Sequence, residues 1–173
     1  MIAISRMPVY EKPNDRARQL LVVNEFVKSM QTYEDLPHNF TLRRGKETTY
    51  LIIPCPYKYV IDYFITTDYG KVVSAVECKW YQRDWRDYDY HFPISVHKVK
   101  HLLQWGKAFN CTPLMLMRNK SGLHYLKIDE RVLSRNRVKL YGRTDRNDPN
   151  DLEPMVFIEE RYWDVYKVGH TNG

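Results

Sequence analysis

Residues 57–80 read YKYVIDYFITTDYGKVVSAVECKW, two runs of β-branched and aromatic residues on either side of the break TDYG. Such residues favour pleated strands, and Gly70 suits the positive φ of a tight return, so the segment is predicted to be a hairpin. Both strands read as core, which makes their charges conspicuous. Side chains alternate along a strand, so Glu77 and Lys79 share a face, and a turn centred on 68–70 brings Asp62 roughly opposite residues 76–78. Glu77 and Lys79 alone would read as an exposed ion pair, worth about 0–1 kcal/mol. Asp62 across the hairpin changes that balance, because two neighbouring carboxylates repel unless a cation or a proton intervenes.

The flanking segments supply helices. Ala17, Leu20, Val23, Val27 and Met30 fall at helical spacing, Asn14 or Asp15 can cap the start, and Pro37 forbids continuation. Glu25 lies off the centre of that apolar stripe. Between this helix and the hairpin, HNFTLRRGKETTYLIIPCP reads as strand interrupted at PCP. From Phe92 the period changes again, with Pro93 and Ser95 as start signals and Val96, Val99, Leu102, Leu103 and Phe109 near helical spacing. His97, Lys100, His101, Gln104 and Lys107 fall on the opposite face. A strand, a turn at 119–122 and a second strand follow. The stretch 129–154 is polar and reads mainly as loop, and MVFIEERYWDVYKV as a last strand. The order helix, three strands, helix, two strands over about residues 14–128 predicts a small mixed sheet flanked by helices, in one domain spanning 1–173 with a C-terminal extension from 129.

Composition narrows the partners. Lys and Arg number 27 against 21 Asp and Glu, a formal net charge of +6, which with 14 Tyr and 4 Trp leans toward a polyanion whose bases stack on aromatic faces. Cys55, Cys78 and Cys111 lack metal-finger spacing, which argues against structural zinc. No run of 18 apolar residues is present and the first residues lack a leader's apolar stretch, so a soluble cytoplasmic protein is expected, with no membrane partner. The loop YQRDWRDYDYHF reads as a mixed-charge surface loop, or as a flap with aromatic wedges.

Asp62, fourteen intervening residues, then Glu77-Cys78-Lys79, between a helix carrying Glu25 and an amphipathic helix, resembles the PD-(D/E)XK nuclease superfamily with its α-β-β-β-α-β restriction-endonuclease-like core. Ile61 stands where that motif often has proline. The resemblance implies Asp62 and Glu77 as metal ligands, the Cys78 backbone carbonyl and Glu25 as further ligands, and Lys79 as the catalytic lysine. Lys100 and Gln104, with His97 and Lys107, become candidates for contact with nucleic acid. It further implies Mg²⁺ or Mn²⁺, and a DNA substrate, with RNA as the alternative. The implied activity is endodeoxyribonuclease action, selective for junctions or branches as in small Holliday-junction resolvases, by a homodimer in a bacterial or phage-infected cell. A non-catalytic nucleic-acid-binding or protein-interaction domain on the same fold is the competing expectation, and a restriction-type enzyme a weaker one.

Overall fold

A computed structural model describes residues 13–32, 50–55, 60–142 and 152–166. Helix α1 spans Pro13–Thr32, and strands β1, β2 and β3 span Tyr50–Pro54, Tyr63–Thr67 and Val72–Trp80. Strand β4 (His91–Ser95) leads into α2 (Val96–Phe109), followed by β5 (Thr112–Asn119) and β6 (Gly122–Lys127). Helix α3 (Arg131–Arg135) and strands β7 (Arg137–Gly142), β8 (Leu152–Glu159) and β9 (Asp164–Tyr166) complete the described chain. Six strands form one sheet in the order β1-β2-β3-β5-β6-β9, and β4-β8-β7 form a second. Within the larger sheet β3 and β5 are parallel and the remaining pairs antiparallel, which is the expected mixed sheet.

The hairpin forms as the residues require. Gly70 takes φ +84° and its N–H donates to Thr67 O at 2.9 Å, while Tyr63 pairs with Val76 and Phe64 with Ala75. Alternation then divides β3 between two cores. Val76 and Cys78 join Leu114, Leu116 and the α1 residues Val22, Val23, Phe26 and Val27, whereas Ala75 joins Met115, Met117 and the α2 residues Val99 and Leu102. The parallel register sets Glu77 beside Met115 and Lys79 beside Met117. Beyond the bulge opposite Ile65 and Thr66, odd-numbered residues of β3 from Ala75 on therefore face α2 and even-numbered ones face α1.

Several expectations need correction. The buried stripe of α1 is Val22, Val23, Phe26 and Val27, while Ala17 is exposed and Leu20 is 42% exposed. In the first turns, Asp15, Arg18 and Gln19 wall a cleft against residues 78–81. Asp62 lies immediately before β2 and not mid-strand. Pro93 belongs to β4; the helix begins after Ser95, whose hydroxyl makes no cap but donates to Glu153 Oε2 at 2.6 Å, tying α2 to β8. The stretch expected as loop from 129 holds α3 and β7, because Val138 and Leu140 lie in an edge strand paired with β8. The single last strand is β8 and β9, divided by a 3-10 turn. Trp85 is no exposed wedge: it is 2% exposed and packs on Phe92, His124 and Trp163, in a 3-10 turn that the Asp84 and Asp87 side chains cap. The strand expected over 38–49 lies outside the described residues.

Helix α2 docks closely on the start of β5. A Cβ on Gly106 would stand 2.7 Å from Pro113 Cγ and 3.2 Å from Cys111 O. Alanine favours helix by about 1 kcal/mol over glycine, but overpacking a filled contact costs about 1–3 kcal/mol. Gly106→Ala is therefore expected to lower the urea midpoint of unfolding, the reverse of the intrinsic preference.

Candidate active site

Burial of charge decides where chemistry can occur. Glu77 is 0% exposed in the middle of the sheet, where an unpaired carboxylate would cost several kcal/mol. It is not unpaired: Lys79 Nζ lies 2.7 Å from Oε1, and Lys98 Nζ lies 2.9 Å from Oε2. Both contacts are hydrogen-bonded ion pairs, so each oxygen of the buried carboxylate faces its own ammonium group. Burial alone would raise the Glu77 carboxyl, but the two ammonium groups overcome it and hold the group below the usual glutamate value. Burial likewise works to lower Lys79, but Glu77, with Tyr81 and Asp62, holds it above an ordinary lysine.

Asp62 enters from just ahead of the neighbouring strand β2. Its backbone N–H donates to Val76 O at 3.0 Å, and its Oδ2 accepts the Cys78 N–H at 2.7 Å. One carboxylate oxygen is thus committed to the hairpin. Burial, then the negative charge of Glu77, push its carboxyl up to about 6, against the pull of Lys79, the Cys78 N–H and Lys98. Ionised Asp62 is therefore a group in want of more positive charge.

The other expected residues are placed differently. Cys78 is fully buried on the α1 face, its thiol pushed up by burial and by Asp62 and Glu77, so its side chain packs and its backbone faces the site. Glu25, expected as a further ligand, projects from α1 on the other face of the sheet and pairs with Arg118 of β5, Oε1 to Nη1 2.6 Å. Among the described residues no three His, Cys, Asp or Glu side chains gather into a metal-binding group. His97, Lys100, Gln104 and Lys107 are exposed on α2. At about 100° per residue, Lys100 and Lys107 lie on the far side of the helix from Lys98. Lys98 is the residue of α2 that reaches Glu77, and the sequence reading missed it. Its signal was positional: it shares the helix face of Leu102, one turn on, and so had to meet the sheet.

The donor set fits a divalent ion. Asp62 and Glu77 are two hard oxygen ligands close enough for the charge of one to push up the carboxyl of the other, and a cation would relieve that repulsion. The cleft of about 290 Å³ lined by Arg18, Gln19 and residues 78–81 opens beside Lys79.

Comparison with known proteins gives the family and the fold. Residues 5–164 match the family described as "Phage putative PDDEXK endonuclease". The chain belongs to that family. No curated protein matches it. Among solved structures it is similar to D212, a nuclease from a fusselovirus, at 12% identity and a TM-score of 0.53, covering 92% of this chain and 90% of that one. It is also similar to Hjc, a Holliday junction resolvase from the archaeal hyperthermophile Archaeoglobus fulgidus, at 13% identity and a TM-score of 0.39, covering 65% of this chain and 72% of that one. The first likeness shows the restriction-endonuclease-like fold. No helix among the described residues is long and apolar enough to cross a membrane.

The Asp62 carboxyl carries a signed consequence. With a folded value near 6 against 3.8 when free, ionisation opposes folding: the penalty is absent below about pH 4 and complete above about pH 6. That shift corresponds to at most about 3 kcal/mol. In EDTA, Asp62→Asn is expected to unfold at higher denaturant than the parent at pH 8, with the difference closing at pH 4.

Proposed function

We propose that this family member is a divalent-metal-dependent endodeoxyribonuclease, with Asp62 and Glu77 as its side-chain ligands, the Cys78 carbonyl beside them, and Mg²⁺ or Mn²⁺ as the ion. The observation that carries the reading is the buried Glu77 carboxylate, sharing its surroundings with Asp62 across the hairpin and with Lys79 on its own strand. A bound ion would neutralise charge on the phosphate and lower the pKa of a bound water. The chain's own groups do the rest. Asp62, pinned by the Cys78 N–H, presents its other oxygen in a fixed direction. Lys79, about a third exposed beside the cleft, orients the attacking water and offsets negative charge as the phosphorus becomes five-coordinate. The exposed cations of α2, His97 when protonated and Lys100 and Lys107, with Gln104, are outlying contacts for the DNA backbone. Junction or branch selectivity, and the homodimer that two symmetric cuts call for, extend the same reading.

Supercoiled plasmid, single-stranded DNA and a four-way junction incubated with Mg²⁺, Mn²⁺ or EDTA test it. Cleavage is expected with either metal and none with EDTA, and Asp62→Ala or Lys79→Ala should slow it by about 10²-fold or more. Variants that cut like the parent would take the reaction away from this site, and a parent that binds DNA in EDTA yet cuts nothing with metal would return the protein to the non-catalytic class. Glu25→Gln discriminates further. Paired with Arg118, it should retain cleavage within a few-fold in the plasmid assay, whereas a loss matching Asp62→Ala would make Glu25 a ligand.

A further inference from the structure

We propose that Lys98 makes ion binding at this site conditional on the substrate phosphate, so that metal and DNA bind as a coupled pair. The inference rests on the reading of Asp62 and Glu77 as ligands and concerns what stands against them. Both oxygens of the Glu77 carboxylate already face an ammonium group, Lys79 at 2.7 Å and Lys98 at 2.9 Å. Two carboxylates and two lysines sum to zero formal charge. The carboxylate is 0% exposed and the Lys98 side chain 21%, so water screens the group poorly. A divalent ion entering alone leaves this neutral group at +2 and must repel Lys98 or displace it from Oε2. A phosphodiester entering with the ion brings the missing negative charge, and an ammonium released from Glu77 has a phosphate oxygen to bind.

Lys98 is placed for such a transfer. It stands in the first turn of α2, three residues after Ser95, whose hydroxyl is tied to Glu153, so the helix start is anchored while the lysine's flexible stem spans to the sheet. Lys79, by contrast, stands on the same strand as Glu77, two residues away and beside the cleft. One lysine belongs to the reaction and the other sets the condition for the ion.

Calorimetric titration of Ca²⁺ or Mn²⁺ into the full-length protein, alone and with a four-way DNA junction, tests this without reliance on turnover. For the parent, ion affinity is expected to rise at least about ten-fold when DNA is present, and by linkage DNA affinity should rise by the same factor with Ca²⁺. Lys98→Gln removes the charge and keeps a donor; it should bind the ion at least about ten-fold more tightly than the parent without DNA, and show weaker coupling. Lys98→Arg, which keeps the charge, should resemble the parent, and both variants are checked for folding by thermal unfolding. Should Lys98→Gln fail to fold, a parent whose ion affinity is indifferent to DNA overturns the proposal by itself. Ion binding by Lys98→Gln no tighter than the parent's without DNA also overturns it. If instead the parent binds no ion with or without DNA and cuts nothing with metal, it is the metal-dependent reading that fails, and this proposal with it.

Discussion

A carboxylate buried in the middle of a sheet has to be answered by positive charge, and much of the site follows from how Glu77 is answered. Removing either partner would leave a charge with little water to solvate it. The demand fixes the register of β3 against α2, because Lys98 meets Glu77 only if the helix begins where it does. It also sets the tension on Asp62, whose ionisation is opposed by the same carboxylate that the lysines stabilise. The two acids of the motif are thus unequal: one is held well ionised by the lysines, while burial and the first acid push the other's carboxyl up to about 6.

The frame that presents these groups uses local chemistry. Gly70 closes the hairpin, the Cys78 N–H seizes Asp62, and the parallel pairing of β3 with β5 sets Met115 and Met117 beside the charged positions. Helix α1 covers the opposite face, and its first turns wall the cleft beside Lys79. The pair Glu25 with Arg118 bridges α1 to β5. The smaller sheet β4-β8-β7 buttresses α2 through the Ser95 hydroxyl and Glu153.

How much of this could be read from the residues depended on the range of the interaction. Period-2 alternation in VVSAVECK and the glycine of TDYG sufficed to place Asp62, Glu77 and Lys79 together, because each rule acts within a hairpin. The pairing of Glu25 with Arg118 was not legible, because a helix stripe does not reveal which face of a sheet the helix will cover, and Arg118 lies 93 residues away. Lys98 was passed over for Lys100 and Gln104 because polarity argued for an outward face, whereas a buried acid elsewhere in the chain draws one lysine inward. The second sheet was hidden for a related reason. The apolar residues of β7 are exposed on an edge strand, and a segment with two basic residues among them resembles a loop until its partner strand is known.

The division of β3 into two faces has a bearing on how such a strand can change over time. Val76 and Cys78 are fitted into a packed layer under α1, and Glu77 and Lys79 into a lattice of charge under α2, in strict alternation. Neighbouring codons therefore answer to different selective pressures, volume on one and electrostatics on the next. A lineage losing its substrate could let the odd positions drift while the even ones stayed conserved, leaving an intact fold whose catalytic history is written only in every second residue.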